Sequence, residues 1–302
     1  MSINIVGNKL AKDLSLKMEG KFCEVLFKKF SDGTVKPRIL NFNKADFGVL
    51  IMDMEHDFDI NDYVINFLLL SARMKETCKK VIGVIPYLPY NRQDKEFLKG
   101  EPVSAKIIGR HLGLDLDYFI TCNNHNHRLD LKDLFKIPNL DISLFEDLGK
   151  CFSEFDVLNT LVIGPDEESK EFVLDFIKNK KFDYVICKKV RNLDTNKVSI
   201  GFPKSFKMEK LKGKDIIIVD DVIATGGTLL KLIPIIQKFS VKSLNFGFVH
   251  GLLIGDTKKS LKETQAKKII SSNTIFNVFG KVNCIDSISL AIKKILNNQH
   301  GK

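Results

Sequence analysis

Between Asp215 and Leu230 the chain reads DIIIVDDVIATGGTLL. The β-branched run suits a strand buried on both faces. Asp220 and Asp221 then stand at its C-terminal edge, and Ala224 leads into a Thr225-Gly226-Gly227-Thr228 turn that opens the next helix. At such a turn an anion can be held by backbone N–H groups and the helix N-terminus. Two glycines admit close approach and two threonines add hydroxyl donors. The carboxylates beside it can accept from sugar hydroxyls or hold a hydrated Mg²⁺. The plainer alternative is a left-handed turn next to a solvated acidic pair, but carboxylates, glycines and hydroxyls in this order favour an anion site. A second polar stretch holds Arg92, which can fork onto a polyphosphate, and Gln93, whose amide suits a base or ribose edge. No Gly-Lys pair is followed by Ser or Thr, and there is no G-x-G-x-x-G, so a nucleotide would have to be held by other means.

These residues need a scaffold, and the hydrophobic pattern supplies one. Short β-branched runs, at 49–53, 81–85, 118–122, 161–164, 184–187, 216–220 and 243–249, alternate with stretches of helical spacing at 63–77, 104–112, 168–179, 229–239 and 287–296. That alternation is the mark of an α/β fold with mostly parallel sheets flanked by helices. A strand running into Pro86 and a polar loop, and another running into Pro165 and Asp166, suggest two similar halves without a residue-level repeat. The segment 136–155, with Pro138 and Gly149, is the best boundary, giving domains 1–145 and 146–302.

At 302 residues, 44% apolar and 28% charged, the chain has the composition of an ordinary globular protein of about two domains. The net charge of +10 could serve nucleic acid or draw in anionic small molecules. Arg occurs only at positions 38, 73, 92, 110, 128 and 191 and the Lys are scattered, which favours the second and argues against a nucleic-acid partner. The six cysteines lie at least 29 residues apart, so no C-x-x-C pair serves zinc or redox work, and buried thiols in a reducing compartment are expected. MSINIVGNKL is not a signal peptide, and no apolar run approaches the ~18 residues of a membrane span. The expectation is a soluble cytoplasmic protein with no membrane partner.

The phosphate turn resembles the phosphoribosyl pyrophosphate loop shared by phosphoribosyltransferases and ribose-phosphate diphosphokinases, the phosphoribosyl pyrophosphate synthetases. The stretch 84–112, VIPYLPYNRQDKEFLKGEPVSAKIIGRHL, resembles the diphosphokinase segment P-Y-x-x-Y-x-R-Q-D followed by G-E-P-x-S-A-K, which phosphoribosyltransferases lack. Further blocks resemble that family in order. KFSDGT places Phe30, Asp32 and Gly33 on the family's F-x-D-G-E loop, with Thr34 in the place of Glu. Asn61 and Asp62 resemble its N-D helix start, for which a helix N-cap is a sufficient reading. TCNNHNHR aligns His125, rather than His127, with the metal-linked His of the Asp-x-His segment, with Asn123 replacing the acid as in the archaeal-type branch. GPDEESK aligns Asp166 with an Asp near metal and ribose. Glu167, Glu168 and Ser169 follow where the family has Gly, so these acids would weaken anion binding unless they turn away or hold a cation. KKVRNLDTNKVS resembles the catalytic flexible loop, and VHGLLIGD the archaeal-type V-H-P-x-L-x-G-D, with Gly251 for Pro.

The resemblance implies two type I phosphoribosyltransferase domains, the first on the ATP side, the second carrying the ribose 5-phosphate loop, with the last helix a candidate to pack back on the first. It also implies the transfer of diphosphate from ATP to ribose 5-phosphate with Mg²⁺. Lys189 and Arg191 take the catalytic roles, Arg191 also touching the sugar phosphate. Phe30, Asp32, Gly33, Thr34, Arg92 and Gln93 hold ATP. Asp220, Asp221, Ala224, Thr225, Gly226, Gly227 and Thr228 hold ribose 5-phosphate, and His125 and Asp166 the metal. A homo-oligomer follows, because the adenine site is shared between subunits. The rival readings are a nucleobase phosphoribosyltransferase and a catalytically silent regulatory relative.

Overall fold

The computed structural model describes residues 1–55, 58–124, 128–191 and 198–298, and divides into two compact units, Met1–Ile142 with Asn283–Lys302, and Ser143–Val282. The first unit holds strands β1 (Ile3–Gly7), β2 (Lys21–Leu26), β3 (Arg38–Ile39), β4 (Ala45–Ile51), β5 (Cys78–Ile85), β6 (Tyr118–Cys122) and β7 (Asn139–Ile142). Its helices are α1 (Lys9–Met18), α2 (Ile60–Lys75), α3 (Ser104–Leu112) and α4 (Leu131–Leu134). The second unit holds α5 (Phe145–Lys150), β8 (Thr160–Gly164), α6 (Lys170–Phe176), β9 (Asp183–Ile186), β10 (Lys188–Arg191), β11 (Val198–Gly201) and β12 (Asp215–Ile223). It continues with α7 (Gly227–Gln237), β13 (Ser243–Gly251), α8 (Thr257–Glu263), β14 (Lys268–Ser272) and β15 (Gly280–Val282). The last helix, α9 (Cys284–Asn297), returns to the first unit and packs on α1.

The sheets share one plan. The first runs β3-β2-β1-β4-β5-β6-β7 and the second β15-β14-β13-β12-β8-β9. Every pairing is parallel except that of the short β3 with β2. In each, the chain builds outward from a first strand to one side, then crosses back to the other, so the order reverses between β1 and β4 and between β8 and β12. Such a reversal opens a crevice at the C-terminal ends of the strands, which is where open α/β sheets bind ligands. The central strands are buried on both faces, as near-continuous runs such as Val49 to Ile51 and Ile216 to Val219 require.

Differences from the sequence expectation have local causes. β1 escapes the apolar pattern because Asn4 interrupts it. That residue is 3% exposed and satisfied, its Nδ2 donating to Asn43 O at 2.7 Å. The expected strand at 49–53 stops at Ile51. Asp53 instead turns to accept from Lys9 N and Leu10 N, both at 2.8 Å, satisfying the first turn of α1. None of the six cysteines is in a disulfide, five of them are buried, and burial pushes the thiols of Cys78 and Cys187 up to about 11 and about 12. No helix among the described residues is long and apolar enough to cross a membrane.

The boundary segment is packed structure. Phe145 of α5 stacks on Phe172 at 4.8 Å, and the fully buried Phe152 meets Phe155 at 6.0 Å and Phe176 at 5.4 Å. Emptying that cluster tests this directly. Phe152→Ala should cost about 3–5 kcal/mol, whereas a linker position would lose almost nothing, and urea unfolding of the two proteins measures the difference.

Candidate active site

In the second unit β12 outlasts β8. Ile218 pairs with Ile163, β8 ends at Gly164, and β12 runs on to Ile223, carrying Asp220 and Asp221 past its neighbour's end. Asp220 is half-buried and Asp221 buried. Asp220 Oδ1 accepts from Asp221 N at 3.0 Å, and Asp221 Oδ1 from Val222 N at 2.7 Å. Asp166 follows the end of β8, its Oδ1 accepting from Glu168 N at 3.1 Å to open a short 3₁₀ turn over Glu167–Ser169. Burial, then the charges of Asp221 and Asp166, hold the Asp220 carboxyl well above the usual carboxylate range. The carboxylates from the two strand ends therefore feel one another across the crevice. A hydrated divalent cation fits that field. The donors are hard oxygens, and among the described residues no cluster of three ligand side chains would cage the ion, so it would keep waters and substrate oxygens, as Mg²⁺ does.

Ala224 to Thr228 form the turn into α7. Gly226 is the N-cap residue at φ 69°, a left-handed conformation that glycine adopts without strain, and a Cβ there would come within 3.2 Å of Thr257 Cγ2. Beside Gly227 the space is open, its nearest obstacle being Thr225 Oγ1 at 3.7 Å from a would-be Cβ. Among the described residues no side chain caps α7, and its first turn holds no acid. The helix thus presents amides to an anion from outside, the arrangement expected of a phosphate cradle. The following strand's exit braces the turn, Leu253 N donating to Ile223 O at 3.1 Å and Ile254 N to Ala224 O at 2.9 Å. Leu253 holds φ 49° to do so, a left-handed backbone that costs a non-glycine residue about 1–2 kcal/mol. Sequence reasoning had assigned this brace no role.

Lys189 and Arg191 lie on β10, which pairs antiparallel with β11, Lys189 opposite Ile200 and Arg191 opposite Val198. Residues 188–191 and 198–201 thus form a two-stranded ribbon. Glu167 engages Lys188 Nζ at 3.6 Å, so one of the two additional acids holds a cation.

In the first unit the loop after β5 carries Arg92, exposed and with no side-chain partner among the described residues. Gln93 Oε1 accepts from Ser104 Oγ at 2.9 Å, leaving its amide nitrogen to donate. Asp94 is 6% exposed and pairs with Arg128. Phe30 to Thr34 form a hairpin tip in which Phe30 N donates to Thr34 O at 2.9 Å, Gly33 holds φ 89° and Phe30 is 53% exposed under Lys36 Nζ at 4.7 Å. Thr34, standing for the family's Glu, spends its hydroxyl on Asp32 Oδ1 at 2.7 Å, and the Thr34 N–H, followed by this hydroxyl, holds the Asp32 carboxyl below its usual range.

The N-cap reading of Asn61 gives way to Asp59, which accepts from Asn61 N at 2.8 Å and Asp62 N at 3.1 Å. The side chains of Asn61 and Asp62 instead take Tyr90 and Lys29. His125 lies outside the described residues.

A parallel sheet whose order reverses beside an acidic pair and a glycine-threonine turn, with an antiparallel ribbon following β9, defines a domain of the phosphoribosyltransferase type. The family model described as the phosphoribosyl transferase domain matches residues 132–287, and that of the N-terminal domain of ribose phosphate pyrophosphokinase matches residues 5–113. Ribose-phosphate pyrophosphokinase 2 of Archaeoglobus fulgidus is 31% identical over 265 residues, 87% of this chain and 89% of that protein. The ribose-phosphate pyrophosphokinase of Methanobrevibacter smithii is 28% identical over 96% of this chain and 99% of its own. The phosphoribosylpyrophosphate synthetase of Mycobacterium smegmatis shares the fold, with a TM-score of 0.83 at 18% identity over 99% of this chain and 100% of that one. The chain belongs to the ribose-phosphate pyrophosphokinase family, and both of these pyrophosphokinase relatives come from archaea.

The crowding at Asp220 has a measurable consequence. A carboxyl whose folded value is raised favours folding when protonated and withdraws that stability as pH rises through the folded value. Without metal, Asp220→Asn should therefore raise Tm at pH 8 by about 2–4 °C per kcal/mol of strain relieved, and the gain should shrink toward pH 5. Thermal melts of both proteins across that range check it, and a loss at every pH would contradict the crowding.

Proposed function

We propose that the chain is a ribose-phosphate diphosphokinase, transferring the diphosphoryl group of ATP to the anomeric hydroxyl of ribose 5-phosphate to give 5-phosphoribosyl 1-diphosphate and AMP. The observation that carries this reading is the uncapped, acid-free N-terminus of α7 with Asp220 and Asp221 beside it. A phosphate bound to those amides leaves its ribose next to two carboxylates that accept from hydroxyls.

The anomeric oxygen attacks the β-phosphorus, the bond from that phosphorus to the oxygen bridging it to the α-phosphate breaks, and AMP departs with that oxygen. The protein's work in such a transfer is alignment and charge neutralisation. Thr225 to Thr228 hold the 5-phosphate, with Ala224 leading into the turn, while Asp220 and Asp221 fix the ribose hydroxyls. Arg92 and Gln93 grip the nucleotide. Phe30, Asp32, Gly33 and Thr34, on an exposed hairpin tip, reach the adenine of a neighbouring subunit, so the working form is a homo-oligomer. Lys189 and Arg191 neutralise charge on the transferring group, and Arg191 also contacts the sugar phosphate. Asp166, with His125, would hold Mg²⁺, which supplies further neutralisation of the phosphates when bound. The setting is the cytoplasm, with neither nucleic acid nor membrane as partner.

Chromatography of a reaction containing ATP, ribose 5-phosphate and Mg²⁺ tests the reading. AMP should form only when the sugar phosphate and the metal are both present. ADP instead would mean ordinary phosphoryl transfer, and consumption of a nucleobase with supplied phosphoribosyl pyrophosphate would mean the transferase alternative.

Lys189→Ala and Arg191→Ala should each lower kcat by about 10²-fold or more, far more than they raise either KM, because they act on charge that develops in the transition state. Steady-state kinetics with near-normal kcat in both variants would remove the ribbon from the mechanism.

A further inference from the structure

The loop after β5 is tied to the loop after β6 on both sides of Arg92 and Gln93. Upstream, Cys122 N donates to Pro86 O at 3.1 Å, and Asn91, 4% exposed, donates from its side-chain amide to Asn124 Oδ1. Downstream, Arg128 Nη1 donates to both carboxylate oxygens of Asp94, at 3.0 and 3.3 Å. The Asp94 side chain is 5% exposed and that of Arg128 47%. Between these anchors Arg92 projects into solvent and Gln93 is held by Ser104.

A buried carboxylate on one arginine is a weak source of net stability, since desolvation offsets most of the attraction. Its strong property is geometric: removing Arg128 strands the buried Asp94 carboxylate, and the loop must move to hydrate it, while removing the carboxylate releases the arc from Arg128. The Asp94–Arg128 bridge therefore sets where the 91–94 arc stands against Asn124 and Arg128. Apolar packing alone would not fix this, because Arg92 and Gln93 themselves bury little.

We propose that Asp94 and Arg128 are positioning residues, which hold the Arg92–Gln93 arc at the place where it grips the polyphosphate and base of a nucleotide. This rests on the assignment of Arg92 and Gln93 to ATP made above. Neither residue needs to touch the nucleotide. An ordinary structural ion pair would lower Tm and leave relative ligand affinities alone, whereas a positioning pair weakens one ligand selectively.

Calorimetric titration of ATP and, separately, of ribose 5-phosphate into wild type, Asp94→Asn, Arg128→Met, the double variant and Arg128→Lys separates these. Each of the first two changes should raise the Kd for ATP about tenfold and leave that for ribose 5-phosphate within about twofold, the tenfold corresponding to about 1.4 kcal/mol. The double variant should be no weaker than the weaker single one, since each change breaks the same Asp94–Arg128 bridge. Arg128→Lys, which keeps the charge, should recover most of the affinity. Should Asp94→Asn fail to fold, Arg128→Met at its half-exposed site carries the test. Unchanged ATP affinity in folded variants, equal weakening of both ligands, or multiplying effects in the double variant would overturn the positioning role. Wild-type protein that binds no ATP would instead sink the functional reading beneath it.

Discussion

Two helices at matching places in matching sheets satisfy their first amides in different ways, and the division of labour between the units turns on that difference. α2 follows β4 and α7 follows β12, each the strand across the reversal from the first strand of its sheet. Every helix start has N–H groups without an intrahelical partner. In α2 they are met from within, by the Asp59 carboxylate on Asn61 N and Asp62 N, with Asp62 adding a second acid to the first turn. In α7 no side chain among the described residues meets them, and no acid stands in the turn. A carboxylate at a helix start does electrostatically what a phosphate would do, so the first unit supplies its own anion while the second leaves room for one from outside.

Keeping α7 receptive has costs that the surrounding structure absorbs. Gly226 forgoes helix propensity for a left-handed turn, Leu253 accepts a left-handed backbone to brace Ile223 and Ala224, and Asp220 endures two neighbouring carboxylates. The rest of β12 is fully buried and ordinary, and its neighbours β8 and β13 hold it in register on both sides. The strain is thus confined to the strand end and the turn, where a sugar phosphate and a cation would relieve it. The first unit needs no such strain at its helix start, and spends its polar side chains instead on holding loops, with Asn61 on Tyr90 and Asp94 on Arg128.

What the sequence made legible was what chemistry places in one continuous run. Asp220 to Thr228 must be contiguous because one strand end and one turn form the cradle, and the helical and strand periods around them follow from burial on both faces of the sheet. Contributions from far along the chain were illegible for the same reason. The first turn of α1 is satisfied by Asp53, more than forty residues away, so no local cap announced the helix. Asn4 hid β1, because its buried amide finds Asn43 only once the loop is folded. Asn61 was a reasonable cap by type, but the helix begins earlier and Asp59 caps it, accepting from Asn61 N and Asp62 N. The Asp94–Arg128 pair spans 34 positions, and its only trace in the sequence is that Arg128 is one of few arginines.

The asymmetry between the helix starts is open to direct observation. Backbone amide resonances recorded during titration with ribose 5-phosphate alone, without nucleotide, report which N-terminus receives the phosphate. The account predicts shifts at Gly226, Gly227 and Thr228, with Asn61 and Asp62 unmoved. Shifts at Asn61 and Asp62 while Gly227 and Thr228 stay in place would contradict it.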